Sequence, residues 1–393
     1  MTEISFDRED LLARARKLAP VLRERAEATN ENRRIPDETF QDFRDAELLY
    51  LFKPKKFGGP EVRPETIYEV ASELGRGDGS AAWVWVIMAV HDLFYCYFSE
   101  ETQKEFWDTN TLCASSFMPS GKLTPEDGGF CLSGNWSFCS GIDGADWMLL
   151  AGIAGMVSED PPIPDLRFVV VPKSDGTVID DWKVLGLRGT GSKRFAVDDV
   201  FVPEIRSVTL QDLSEGTTPG TRVHESPLYR APVWSIFPFT ISASANGIAR
   251  GAQDAYLDDK SGRSPNYGHE PLHKKPTIQL RVSEASALID AAELLYRRSL
   301  CETIDKIFAG EELTMKHRLR SRRDQGYSIK MVRQAADLLF AAGGGGGLYD
   351  SGHVQRAFRD LQAIQSHIVG NWDMPALNYG SVALGGPPTD FFW

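Results

Sequence analysis

The run SAAWVWVIMAVHDLFYCYF, residues 80–98, limits what this chain can become more than any other stretch. It is nearly long enough to cross a bilayer, yet His91 and Asp92 fall close to its middle, where ionisable groups are expensive in lipid. The sequence therefore predicts a helix buried inside a globular protein, with no membrane partner. At helical spacing Val84, Met88, His91, Tyr95 and Phe98 share one stripe. On such a stripe a histidine is either a hydrogen-bonded core residue or a functional group, and both readings stay open here.

The chain has 393 residues, 42% of them hydrophobic, enough for two or three packed units. Its net charge of -12 argues against a nucleic-acid partner, because binding phosphates needs a positive surface. The basic run KHRLRSRRD, 316–324, reads as a solvated helix face. Five cysteines without a CxxC pair suit reduced thiols, and the N-terminus lacks the apolar core of a signal peptide; a cytoplasmic protein is expected.

Helical patterns fill residues 1–108, short β-rich runs broken by turns fill 109–215, and long helical segments return in 216–393. The β runs are GGFCLSGNWSF, DWMLLAGIAG, LRFVVVP and RFAVDDVFVP. The class is α+β, mainly α, in three domains with those bounds.

Between two of the β runs lies GLRGTGS, residues 186–192. Its glycines lack the spacing of a dinucleotide fingerprint, and a strand follows where a phosphate cradle needs a helix. A tight turn, where the backbone must pass close to something, is the better reading. HEPLH, 269–273, has the letters of a zinc-protease motif, but Pro271 and Pro276 forbid the continuous helix that would put both histidines on one face. No metal site is expected.

Taken together, GRGDGSAAWV, GNWSFCSGIDGADW, WKVLGLRGTGS and RAFRDLQAIQSH resemble the acyl-CoA dehydrogenase fold, and within it the oxygenase components of two-component flavin-dependent aromatic monooxygenases. The resemblance covers essentially the whole chain. It implies an N-terminal helical domain, a β-barrel-like middle domain and a C-terminal four-helix bundle, assembled as a homotetramer. It also implies reduced FMN or FAD delivered by a separate NAD(P)H-dependent reductase, O2 as cosubstrate, a C4a-hydroperoxyflavin and hydroxylation of a small aromatic substrate. An acyl-CoA dehydrogenase, or an N- or S-oxygenase on the same scaffold, is the alternative.

What the resemblance implies residue by residue is specific. His91 faces the aromatic substrate, with Tyr95, Trp83 and Phe94 sharing or enclosing the pocket and Trp85 helping to exclude water. Ser140 sits beside flavin N5, where its oxygen would hold the N5 proton. His367 replaces a catalytic carboxylate region: counting from the Arg359–Asp360 pair, the dehydrogenase base would fall at Ile368. His91, Ser140 and His367 are thus the catalytic candidates, with the division of labour between the histidines open. Flavin contacts are expected from Ser116, Phe117 and Met118 in the loop ASSFMPSG, from Trp182, and from Arg263 and Gly344, Gly345 and Gly346 across a subunit boundary. The five consecutive glycines at 343–347 further suggest close backbone approach.

Overall fold

A computed structural model of the chain describes residues 5–109, 111–160, 162–261 and 270–389. Five helices open it: α1 (Arg8–Asn32), α2 (Asp37–Asp45), α3 (Pro64–Gly75), α4 (Gly79–Tyr95) and α5 (Glu100–Trp107). Every residue of α4 is buried, so the longest apolar run is the central rod of the N-terminal helices. Asp78 starts it, accepting the Ala81 N–H at 3.0 Å. No described helix is long and apolar enough to cross a membrane.

Seven strands follow: β1 (Cys113–Glu126), β2 (Gly129–Cys139), β3 (Trp147–Glu159), β4 (Pro162–Pro172), β5 (Thr177–Ile179), β6 (Lys193–Pro203) and β7 (Ser207–Thr209). They form one mixed sheet in the order β5-β6-β2-β1-β3-β4-β7, in which only β1 and β3 run parallel. The barrel-like unit expected from the sequence is this sheet. ASSFMPSG, expected as a loop, lies within β1. Its Ser, Pro and Gly content hides a strand that pairs with β3 over Cys113–Ser116 and with β2 from Gly121 onward. Against β3 the register breaks between Ser116 and Gly121, and against β6 the register of β2 breaks between Trp136 and Cys139. Such irregularities re-aim side chains, and these two lie on neighbouring strands.

The short α6 (Leu210–Glu215) leads to α7 (Phe239–Lys260), α8 (Pro276–Phe308), α9 (Met315–Ala342), α10 (His353–Ser366) and α11 (Asp373–Ala383). Helices α7 to α10 pack on one another as the expected bundle, and α7 also packs on α3 and α4. The basic run at 316–324 is helical but not simply a solvated face. Arg322 and Asp324 in it are buried, and Asp324 receives hydrogen bonds from Arg298, Ser299 and Arg323.

GLRGTGS joins the three regions. A Cβ on Gly186 would lie 2.1 Å from the Arg359 carbonyl oxygen of α10, and one on Gly189 would lie 2.4 Å from Thr29 of α1. The turn is therefore a close backbone approach, as the sequence suggested. Leu187 takes a left-handed φ of 54°, and its N–H donates to the buried Asp360 carboxylate at 2.6 Å.

Candidate active site

Helix α4 carries two stations along its length. At one, His91 is fully buried and its Nδ1 lies 2.7 Å from the Cys113 carbonyl of β1. A carbonyl only accepts, so Nδ1 holds the proton and Nε2 presents a lone pair. That Nε2 is buried and has no hydrogen-bond partner. Burial pushes the imidazole down to about 4, which keeps it neutral near pH 7. Phe94 and Phe117 present edges to it at 6.5 and 6.3 Å. Phe117, thrown inward where β1 breaks register, also meets Phe94, Phe168, Phe237 and Trp234 at centroid distances of 4.9, 5.3, 5.3 and 6.1 Å. An orphaned acceptor is thus set beside a cluster of aromatic rings.

Eight positions earlier on the helix, about 12 Å along its axis, stands Trp83. Its indole N–H donates to the Ser140 hydroxyl at 3.2 Å, and its ring meets the edge of His367 at 5.5 Å. Ser140 Oγ is 2.8 Å from Ser192 Oγ, which is 2.6 Å from Thr190 Oγ1, and Thr190 donates to the Leu187 carbonyl at 2.8 Å. Two half-exposed rings stand beside this chain. Trp182 donates its indole N–H to the same Leu187 carbonyl at 3.2 Å, and Phe138, held at a φ of 66°, packs edge-on against it at 6.0 Å.

His367 follows α10 directly. Its Nδ1 accepts the Val369 N–H at 3.1 Å, so in the neutral ring Nε2 is the protonated nitrogen. Burial, with a smaller push from Arg322, lowers its pKa to about 4. The two histidines are therefore opposite tautomers, His91 showing an acceptor and His367 a donor.

The remaining expected residues divide. Ser116 is buried and donates to the Ser137 carbonyl at 2.8 Å, tying β1 to β2 at their irregular stretches, while Met118 is exposed. Tyr95 turns away from the ring cluster and stacks on Phe106 of α5 at 3.6 Å, because α4 is buried on every side and its far face belongs to α5. Trp85 likewise faces elsewhere, donating to the Leu48 carbonyl. Gly344, Gly345 and Gly346 precede α10, one helix length from His367, and a Cβ on any of them would meet nothing within 4 Å. Among the described residues these three glycines make no close approach. Arg263 and His269 lie outside the described residues; His273 of the same motif sits in a 3-10 turn ahead of α8. Ile368 is an exposed aliphatic. Sequence reasoning missed Thr190, Ser192 and Phe138, and the ring partners Phe168, Trp234 and Phe237.

Two family models match the chain: Acyl-CoA dehydrogenase, N-terminal domain, over residues 7–110, and Acyl-CoA dehydrogenase, C-terminal domain, over residues 239–372. The chain is 34% identical to the flavin-dependent monooxygenase, oxygenase subunit HsaA, of Rhodococcus jostii, over 95% of this chain and 98% of that protein. It belongs to the oxygenase components of the flavin-dependent monooxygenases. This oxygenase component is also 36% identical to the FADH(2)-dependent resorcinol hydroxylase, oxygenase component, of a Rhizobium species, over 96% of this chain and 95% of that one. The crystal structure of 3-HSA hydroxylase from Rhodococcus sp. RHA1 superposes on it with a TM-score of 0.93 at 33% identity, covering 98% of this chain and 100% of that one.

Proposed function

We propose that this oxygenase component hydroxylates a small aromatic ring bearing an O–H or N–H donor, phenolic or indolic in class. It would use O2 and reduced FMN or FAD delivered by a separate NAD(P)H-dependent flavin reductase. One observation carries the reading: the buried, unpartnered Nε2 of His91 among aromatic rings. A buried acceptor without a donor is costly unless a ligand supplies one, and a phenol supplies both the donor and the ring.

Magnitudes define what His91 does. A phenol near 10 facing an imidazole near 4 would need about 8 kcal/mol to surrender its proton outright. His91 therefore acts as a hydrogen-bond acceptor in the resting complex. It takes the proton only as oxygen adds to the ring and the phenol becomes acidic, and this sends electron density into the carbon under attack. His367 would contribute its Nε2–H as a donor to an oxygen atom, opposite in role.

The residues present fit a flavin. Ser140 keeps an acceptor lone pair, Trp182 and Phe138 offer ring faces beside it, and the irregular stretch Ser116–Met118 offers backbone groups. When bound, reduced flavin supplies two electrons and activates O2 for transfer of one oxygen atom. Arg263 and Gly344–Gly346 would hold it from a neighbouring subunit. That assignment goes with a homotetramer, and the open space around these glycines in their own chain supports it.

The test is anaerobic protein charged with reduced FMN or FAD, mixed with O2 and a panel of phenols, indoles and aryl methyl ethers. Hydroxylated product per O2 consumed should be high for phenols or indoles and low for the ethers, which give His91 no donor. Equal oxidation of ethers would overturn the role of His91. A yellow preparation bleached by an acyl thioester would overturn the function.

A further inference from the structure

The hydroxyl chain beside Trp83 has a fixed polarity, because both of its ends are groups of one kind only. At one end stands the Leu187 carbonyl, which accepts and cannot donate. Thr190 spends its hydroxyl hydrogen there, at 2.8 Å. Its oxygen is then left to accept from Ser192 at 2.6 Å, so the Ser192 hydrogen is spent as well. Ser192 in turn accepts the hydrogen of Ser140 at 2.8 Å. At the other end the Trp83 indole, which only donates, points at Ser140 across 3.2 Å. Every hydrogen in the series is committed toward Leu187. Ser140, half-buried, has one lone pair left and no hydrogen to offer. Thr190 and Ser192 are themselves buried, at 1% and 4% exposure, so water cannot easily reverse the order.

We infer that Thr190 and Ser192 are positioning residues that make Ser140 an obligate acceptor, and that the site thereby distinguishes reduced flavin, with a hydrogen on N5, from oxidised flavin, with a lone pair there. The inference rests on the reading above that Ser140 meets flavin N5. Reduced flavin completes the series. Oxidised flavin sets a lone pair against the Ser140 lone pair, unless all three hydroxyls turn and Thr190 abandons the Leu187 carbonyl. Preference for the reduced cofactor is what an enzyme fed by a separate reductase requires, since it must release the oxidised product of its own turnover.

The experiment is equilibrium binding of oxidised FMN and of chemically reduced FMN, under anaerobic conditions, to the full chain, with FAD run in parallel. Wild type should bind the reduced form more tightly. Ser192→Ala frees the Ser140 hydrogen, and Thr190→Val frees the Ser192 hydrogen. Each should cut the reduced-over-oxidised preference about tenfold, mainly by tightening the oxidised form. Thr190→Ser keeps the hydroxyl and should keep the preference. The two disruptive variants touch different residues, so the loss of one to misfolding leaves the other to decide. A wild-type ratio in folded S192A or T190V, or a ratio lost equally in T190S, would overturn the inference. Ser140→Ala separates the two levels. If it leaves the ratio unchanged, or if wild type binds neither flavin, the placement of Ser140 at N5 fails and this inference with it. If it shifts the ratio while S192A and T190V do not, only the hydroxyl series fails.

Discussion

Trp83 of α4 donates its indole N–H to the hydroxyl of Ser140, at the end of β2, across 3.2 Å. The bond couples the central helix to the sheet at the point where His367 also touches the Trp83 ring. Trp83→Phe removes the donor and part of the ring. The hydrogen bond is worth about 1 kcal/mol and the lost packing about 1–2 kcal/mol more. Urea unfolding should show a combined loss of about 2–3 kcal/mol, and an unchanged midpoint would count against the bond.

For His91 the expectation is a failure of coupling rather than of flavin oxidation. His91→Gln should lower product formation by about 100-fold. O2 should still be consumed and appear as hydrogen peroxide, formed with oxidised flavin. The measurement is the ratio of product to peroxide at a fixed O2 uptake. A variant that keeps the wild-type ratio removes His91 from the chemistry.

Acid stability follows from the same residue. Its folded pKa, about 4, lies below the unfolded value of about 6.5. Between these values the unfolded chain takes up a proton that the native chain refuses, so stability is lost as pH falls from 6.5 toward 4. Thermal melts of His91→Gln should fall less steeply over that window than those of wild type.

The buried carboxylates act in the opposite sense. Burial pushes Asp360 up to about 6, opposed first by the Leu187 N–H bond and then by Arg356 and Arg359. Burial and the nearby Asp360 push Asp78 up to about 7. Here the native chain holds protons that the unfolded chain has released, so the stability these groups give is full below about 4 and lost as pH rises through 6 to 7. Asp360→Asn, which still offers an oxygen to the Leu187 N–H, should flatten the decline in melting temperature between about pH 4 and 6. A parallel decline in both proteins would refute the shift.

Two glycines separate a required approach from a permissive one. Gly186→Ala places a carbon 2.1 Å from the Arg359 oxygen and forces backbone to move, so a loss above about 3 kcal/mol is expected. Gly345→Ala meets nothing within 4 Å in its own chain, and the stability of the isolated chain should stay within about 0.5 kcal/mol. If the alanine at 345 also weakens flavin binding, the contact comes from a second subunit.

Legibility in the sequence followed the range of the interactions. The buried α4, the helical returns and the tight turn at GLRGTGS were readable because periodicity and glycine spacing are local. β1 was not, because Pro119 and the serines around it deny it a strand's composition, while pairing with β3 before Pro119 and with β2 after it imposes one. His91 and His367 were identified by resemblance, yet their tautomers depend on Cys113 and Val369, and no residue pattern reports those bonds. Thr190 and Ser192 were in view within GLRGTGS, read for backbone shape alone. Their hydroxyls gain meaning only from Ser140, some fifty positions away in the chain. Tyr95 shows a related effect. Its spacing from His91 is right, but Phe106 captures the ring.

Helix α4 has no solvent face at all. A shift in substrate range through new residues on it would therefore disturb packing on several sides at once. Phe117, in the irregular stretch of β1, is only partly buried and touches the same rings with less of that burden. Divergence toward new aromatic compounds has more room there than on a helix packed on every side.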